Sequence, residues 1–334
     1  MDIPLLERSV DALVIENPVD LLYLTGVSLS KGLLVLKKEE ACLFVDGRYL
    51  EAAKQSAPCR VEPSEGDGWV LFLAGKVGFD SGFVSYDGYQ RLLKKAPQVE
   101  WIPISSPLKE MRICKNPKEI EALRRAAALT LAGYQHVHSL LKEGVSEEEL
   151  AFAFEFFCRK KGATGLSFEP IIAFGENSAC PHHRAGPTRL QKNQLVLIDV
   201  GAIVDGYRGD MTRVDFFGAV DPALSRLFTI VKTAQEMAIA AVRPGVKAGD
   251  LDRLVRDYFR REGVEELFTH SLGHGIGLET HESPRLKYKG EDGDIVLRPS
   301  MVFTIEPGLY QPGLGGVRYE DMILVTETGG EKLC

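Results

Sequence analysis

Four acidic residues stand in stretches that read as buried strands. Asp199 lies in LVLIDVGA and Asp210 in GYRGDMTRV, while Glu306 lies in VFTIEPGLY and Glu320 in GVRYEDMIL. A lone carboxylate inside an apolar strand is costly unless a cation or a set of donors offsets its lost hydration. Any one of these acids reads equally well as a turn cap or the partner of a surface lysine. Four of them, each flanked by apolar or β-branched residues, constrain the fold: the chain must bring them to a common partner. The turn AIVDGYRG returns the strand of Asp210 beside that of Asp199, and PGLYQPGLGG returns the strand of Glu320 beside that of Glu306. Two hairpins thus deliver four carboxylates.

Residues 270–282, HSLGHGIGLETHE, add three histidines, His270, His274 and His281, interleaved with Gly273, Gly275 and Gly277. An isolated histidine in an apolar stretch is more often a satisfied core residue than a ligand. One imidazole joined to four carboxylates, however, suits two divalent ions of intermediate hardness: manganese, cobalt, iron or zinc. Calcium and magnesium seldom recruit an imidazole. Two such ions about 3.5–4 Å apart hold a shared water as hydroxide, a hydrolytic nucleophile at neutral pH. Histidines outside the ligand set would donate to a developing oxyanion or hold the substrate. Rival readings are weaker, because GHGIG lacks the spacing and the Lys-Ser/Thr of a phosphate loop, and Ser271 has no G-x-S-x-G elbow. The glycines are read as letting the strand approach metals and substrate closely.

Around these motifs, the first hundred residues alternate short apolar strands (DALVIE, KGLLVL, ACLFVD, KVGFD) with helical stretches at 47–54 and 86–95 and a loop, VEPSEGDGW. This is a small α/β domain. After Pro103 and Pro107, Asn116 caps a helix with Pro117 at its first position, which runs to Gly144. Ser146 and Glu149 form a capping box for a second helix, and the strands GLSFEPIIAFG and QLVLIDVGAIVDGYRGDMTRVDFFG follow. Asp221-Pro222 then opens the same order again: a helix to Arg243-Pro244-Gly245, a second helix AGDLDRLVRDYFRREG, and the strands ELFTHSLGHG, MVFTIEPGLY and GVRYEDMILVTE. Helix, helix, sheet occurs twice, at about 105 residues per copy. The domain boundary is placed near residue 112, giving domains 1–112 and 113–334.

The chain has 334 residues, 45% hydrophobic and 26% charged, and a formal net charge of −7. That composition supports a sizeable core and argues against nucleic acid, which needs a clustered basic surface. The pairs Lys37-Lys38, Lys94-Lys95 and Lys160-Lys161 read as solvated faces. Six cysteines (Cys42, Cys59, Cys114, Cys158, Cys180, Cys334) show no C-x-x-C spacing, which fits a reducing compartment. The opening MDIPLLERSVDALVIENPVD carries early acids and no long apolar run, so neither a signal peptide nor a membrane span is expected. The reading is cytoplasmic.

Taken together, IDVGAIVDGYRGDMTR, HSLGHGIGLETHE, TIEPGLY and GVRYED resemble the M24 metallopeptidases of the pita-bread fold. Asp, Asp, His, Glu and Glu stand in order, each in its family motif, across residues 195–325. The N-terminal domain, including YLTG at 23–26, is similar to the smaller α/β domain of prolidases and aminopeptidase P enzymes, which methionine aminopeptidases usually lack. The fold the resemblance implies is that α/β domain followed by a pita-bread domain with pseudo-twofold helix–helix–sheet halves. The N-terminus falls short of much of the family's leading helix.

Site roles carry over from the resemblance. Asp199 would chelate one metal, Asp210 and Glu320 would bridge both, and His274 and Glu306 would complete the second. Glu306 would also act as general base and then acid. His182, in NSACPHHR, matches the substrate-side histidine, with its neighbour His183 as the rival assignment; His270 and His281 match the pair that contacts the scissile amide or its tetrahedral intermediate. Arg285, four residues after His281, matches the arginine that receives a dipeptide's free carboxylate, a task suited to a guanidinium. Arg318 fits the family pattern as a substrate-side residue that orients Glu320. Thr280 stands where Val or Ile is usual, a small change in strand packing.

The resemblance implies a two-metal exopeptidase acting on Xaa-Pro bonds, foremost a prolidase-type dipeptidase. Manganese is favoured over cobalt, zinc or iron. Proline-containing dipeptides or short peptides are the partners, and a homodimer is expected. The alternatives are an Xaa-Pro aminopeptidase acting on longer peptides, an inactive peptide-binding scaffold, and metal-free hydrolysis of a small amidine as in creatinase. The complete ligand set argues against the last two.

Overall fold

The computed structural model describes residues 10–219 and 221–333. The expectations for the extreme N-terminus and for Cys334 lie outside the described residues. The chain divides into two compact units, residues 1–110 and 111–334.

The first unit is a mixed six-stranded sheet in the order β4-β3-β2-β1-β5-β6. The strands are β1 (Ala12–Ile15), β2 (Leu33–Leu36), β3 (Ala41–Val45), β4 (Arg60–Pro63), β5 (Lys76–Asp80) and β6 (Glu100–Ile104). Helices α1 (Pro18–Thr25), α2 (Leu50–Ser56) and α3 (Tyr86–Lys95) connect them. Asn17 caps α1, and Gly26, the glycine of YLTG, ends it in the left-handed region at φ 70°, a conformation glycine adopts without penalty. Two expectations fail for physical reasons. VEPSEGDGW is not a plain loop: β4 pairs in parallel with β3, and a 3₁₀ turn over Glu65–Phe72 buries Trp69 in the core. Strand β6 escaped notice because Pro103 interrupts it, yet an edge strand tolerates a proline. The helix expected from Gly47 starts only at Leu50, because Asp46 accepts the Arg48 N–H and holds a turn there.

The second unit shows the expected double order. Helices α4 (Pro117–Ser139) and α5 (Glu147–Lys160) precede β7 (Gly165–Leu166), β8 (Ile171–Phe174), β9 (Gln194–Val200), β10 (Ala202–Val204), β11 (Tyr207–Arg208) and β12 (Met211–Phe217). Helices α6 (Pro222–Ala241) and α7 (Ala248–Arg261) precede β13 (Gly273–Gly275), β14 (Glu282–Leu286), β15 (Val302–Ile305), β16 (Gly308–Gln311), β17 (Gly315–Arg318), β18 (Asp321–Val325) and β19 (Gly330–Lys332). The capping boxes at Asn116/Glu119 and Ser146/Glu149 are both formed. Helix α4 stops at Ser139, before the expected Gly144. Of the strand expected over ELFTHSLGHG, only the last three residues pair; its start is a 3₁₀ turn.

Alternation along β9 shows how the layers stack. Leu195 and Leu197 face one core, shared with Leu227 and Val231 of α6 and Val255 of α7. Val196, Ile198 and Val200 face another, shared with Leu150 and Phe154 of α5. Both faces of the strand are covered, which is why it reads as a continuous apolar run.

Neither hairpin is continuous. β9 pairs with β12 in one sheet, but beyond Gly201 and Gly209 the arms continue as β10 and β11 in another. A Cβ on Gly201 would collide with the Gly209 carbonyl oxygen, so glycine is required for this close approach. The second hairpin repeats the device: β15 pairs with β18 in a five-stranded sheet, whereas β16 pairs with β17 in a separate two-stranded one. The acids stand at these changes of sheet.

Candidate active site

Asp199 is the penultimate residue of β9, opposite Thr212 of β12. Asp210 lies between β11 and β12, Glu306 follows β15, and Glu320 precedes β18. His274 is the middle residue of β13, in register with Arg285 on β14. Asp199, Asp210, His274, Arg285, Glu306 and Glu320, with His182, His270, His281 and Arg318, line one cleft of about 570 Å³, within the usual size range of ligand sites. Every site residue singled out in the sequence reaches the same cavity.

The donor set fits divalent ions. Asp210, His274 and Glu320, all buried, offer ligand atoms within 4.8 Å of one another. His274 Nε2 stands 3.3 Å from Glu306 Oε1 and 3.8 Å from Asp210 Oδ2. Asp199 Oδ1 is buried without a hydrogen-bond partner, and an orphaned carboxylate oxygen aimed into an acidic cluster wants a cation. Burial, reinforced by the neighbouring carboxylates, raises the pKa of Asp210 and of Glu306 well above the usual range, and that of Glu320 to about 8. Such crowding is unfavourable for anions alone and favourable around positive charge. Burial lowers the His274 pKa to about 3, so its close approach to Glu306 and Asp210 is that of a neutral ring and not an ion pair. Its Nδ1 donates to the Gly275 carbonyl (3.1 Å), leaving the Nε2 lone pair facing the acids, the orientation a metal ligand needs.

Arg318, only 3% exposed, departs from the role assigned to it. It donates from Nη2 to Asp199 Oδ2 in a very short contact, from Nε to Thr212 Oγ1 (3.1 Å), and from Nη1 to the Tyr310 hydroxyl (2.7 Å). It therefore holds Asp199 directly and reaches Glu320 only through Thr212, whose hydroxyl donates to Glu320 Oε2 (2.7 Å). Its guanidinium is committed to protein groups. His270 is similarly engaged: Nδ1 lies 2.8 Å from the Ser271 carbonyl and Nε2 2.9 Å from the Tyr310 hydroxyl. Burial lowers its pKa to about 4, so the ring is neutral, donating from Nδ1 and accepting at Nε2. As placed, it supports Tyr310 and has no ring nitrogen left for a substrate.

His281 is exposed at the cleft with its ring edge-on to His274, centroids 4.3 Å apart. Burial, then the Arg285 charge, lowers its pKa. His182 is exposed there too, whereas His183, which also lines the cleft, has its Nε2 2.8 Å from the fully buried Glu147 Oε2. Arg285 is exposed along the same wall, its backbone N–H donating to Asp292 Oδ2 (2.9 Å). Thr280 is a tether rather than a strand-packing residue, since its hydroxyl donates to the Ser167 carbonyl (2.7 Å). The glycine reading also changes. A Cβ at Gly273 would strike the Thr304 carbonyl, one at Gly275 the Ser283 carbonyl, and one at Gly277 the Glu282 carboxylate. The small residues admit neighbouring strands and a buried acid, not metal or peptide.

Tyr310, Thr212, Glu147 and Asp252 were not singled out from the sequence. Tyr310 stood inside a quoted motif but reads as a strand aromatic. Glu147 lies in the first turn of a helix and Asp252 on a charged helix, where acids are normally solvated.

Comparison with known proteins agrees with this geometry. Residues 121–327 match metallopeptidase family M24, and residues 5–114 match the creatinase/prolidase N-terminal domain. The Xaa-Pro dipeptidase of Pyrococcus furiosus is 35% identical over 331 residues, covering 98% of this chain and 94% of that protein. Among solved structures, the prolidase from Pyrococcus furiosus superposes with a TM-score of 0.92 at 35% identity, covering 98% of this chain and 97% of that one. The X-Pro aminopeptidase from Thermotoga maritima superposes with a TM-score of 0.90 at 31% identity, covering 98% and 97%. The chain carries the creatinase/prolidase N-terminal domain and the pita-bread domain, and it belongs to metallopeptidase family M24.

Proposed function

We propose that this protein is a two-metal Xaa-Pro dipeptidase. The observation that carries the reading is the convergence of four strand carboxylates and a neutral, correctly turned His274 on one cleft that also presents Arg285. Asp199, Asp210, His274, Glu306 and Glu320 would hold the ions. Manganese is the favoured ion, with cobalt, zinc and iron as alternatives suited to the same donors. Divalent ions held there supply Lewis acidity and make water available as a nucleophile at neutral pH.

The chain's own residues supply the rest. Glu306 takes a proton from the attacking water and returns it to the departing prolyl nitrogen. His182 and His281 donate to the carbonyl oxygen as negative charge develops on it. Arg285 receives the free carboxylate of the proline, which limits productive substrates to two residues. His270 and Arg318 act behind this layer by fixing Tyr310 and Asp199.

The second reading, an Xaa-Pro aminopeptidase, draws support from the almost equal superposition on the Thermotoga maritima enzyme. Arg285 favours the dipeptidase. A cytoplasmic location and a homodimer belong to the proposal as well; no described helix is long and apolar enough to cross a membrane, and the five described cysteines are free. The test compares Ala-Pro with Ala-Pro-Ala after adding manganese or cobalt to metal-stripped protein. Preferential hydrolysis of Ala-Pro is expected. Preference for Ala-Pro-Ala would establish the aminopeptidase, and no hydrolysis of either would leave a binding scaffold.

A further inference from the structure

One fully buried carboxylate outside the cleft gathers an unusual number of donors. Glu147, the first residue of α5, has no side-chain exposure. Its Oε1 accepts from the Phe174 N–H (2.9 Å) and from Asn177 Nδ2 (2.8 Å). Its Oε2 lies 2.8 Å from His183 Nε2 and accepts from the Gly186 N–H (3.2 Å). The donors span residues 174–186, from the last residue of β8 into the loop between β8 and β9 that carries Pro181, His182 and Arg184 into the cleft. The backbone closes the same loop onto the helix start, with Glu147 N–H donating to the Thr188 carbonyl (3.1 Å) and Glu148 N–H to the Gly186 carbonyl (3.1 Å). Nothing in the proposed chemistry uses Glu147. A buried carboxylate is tolerated only where its lone pairs are filled, and here three of the four partners belong to one loop while the fourth, Phe174, ends the strand that leads into it.

We propose that Glu147, with His183 as its hydrogen-bond partner, is a positioning residue that sets the His182 ring against the scissile carbonyl. The inference rests on the proposed substrate role of His182. It assigns the second histidine of PHHR to the protein side: His183 faces back to Glu147, and its neighbour faces forward. Loops position a side chain less sharply than strands do, so a loop-borne histidine needs such an anchor, whereas His274 is held within β13 by its neighbouring strands.

A carboxylate with these donors would stabilise the loop whether or not His182 met substrate, and a mutant cycle separates the two cases. Ala-Pro hydrolysis is measured on manganese-loaded full-length protein for wild type, E147Q, H182N and E147Q/H182N, with metal content determined on each sample. The expected result is a fall of about tenfold or more in kcat for E147Q with metal content unchanged, as for loss of an orienting partner. H182N should fall further, and the double variant should match H182N within about twofold. Multiplicative losses in the double variant, or an E147Q enzyme as active as wild type, overturn the proposal alone. Full activity in H182N overturns the substrate role of His182 and this proposal with it. Should E147Q fail to fold, H183A at the cleft edge (side chain 18% exposed) replaces it. H183A should lose kcat and regain part of it with added imidazole, again with no further loss in an H182N background; loss that imidazole does not restore overturns the proposal.

Discussion

In the first half of the catalytic unit, β9 and β12 part at Gly201 and Gly209; in the second, β15 and β18 part at Pro307 and Tyr319. Each parting exposes two acids to the cleft, so both halves build the site by the same change of sheet. They differ in what lies behind it. The first half's buried helix acid, Glu147, gathers a long loop that carries His182 into the cleft. The second half also has a fully buried helix acid, Asp252 on α7, but it accepts from the N–H groups of Leu272 and Tyr288 (3.1 Å each) and from Arg256 Nε (3.0 Å). Leu272 lies between His270 and His274, and its carbonyl accepts from the Glu306 N–H (2.8 Å). One acid steadies the loop that carries His182 into the cleft, and the other steadies the strand that carries His274. The repeated helix–helix–sheet order thus carries a buried helix acid in each half with different partners, and on the proposed function this divides substrate handling from metal holding.

The first way to break this comparison is to remove a first-half carboxylate that the family resemblance places on both ions. Asp210→Asn should lower kcat more than about a hundredfold, beyond the usual cost of losing a ligand's outer partner, and lower metal content as well. Full metal occupancy with full activity would remove Asp210 from the centre. Asp252→Asn should lower manganese affinity about tenfold, where E147Q leaves it unchanged. It should also cost about 1–2 kcal/mol of stability by leaving the half-buried Arg256 beside a neutral amide, as denaturant unfolding would show. Equal metal affinity in the two variants would erase the division of labour. Arg285→Ala should raise KM for Ala-Pro about tenfold, the worth of one charge-assisted contact, with little change for Ala-Pro-Ala. An equal rise for both would exclude Arg285 as the carboxylate receptor.

The smallest effect concerns pH. The carboxyls of Asp210, Glu306 and Glu320 have pKa values raised above those of an unfolded chain, Glu320 to about 8. A raised carboxyl favours the folded state fully below its unfolded pKa, and that contribution is lost as pH rises through the folded value. Metal-stripped protein should therefore lose roughly 3–5 °C in Tm between pH 7 and pH 9, a loss that bound metal suppresses because cations replace the protons. A pH-independent Tm in stripped protein would contradict the crowding of these acids.

Much of this was legible in the sequence because the acids stood out: Asp199 among Leu, Val and Ile, and Glu320 ahead of Met-Ile-Leu, violate the pattern of a buried strand. Caps such as Asn116, Ser146 and Asp221 were legible for the same local reason, since each side chain bonds within three residues of itself. What escaped depends on contacts distant in sequence. Glu147 and His183 meet across 36 residues, and Arg318 and Asp199 across 119. No local pattern separates Glu147 from the solvated Glu148 beside it. The changes of sheet at Gly201 and Pro307 were hidden because each hairpin arm reads as one uninterrupted strand.

The most direct test of the central claim, that both hairpins serve one metal centre, is a calorimetric titration of manganese into metal-stripped protein with Ala-Pro hydrolysis followed on the same samples. Two ions bound per chain, with activity rising as they bind, is the predicted result. Absence of binding, or equal hydrolysis by the stripped protein, would contradict it.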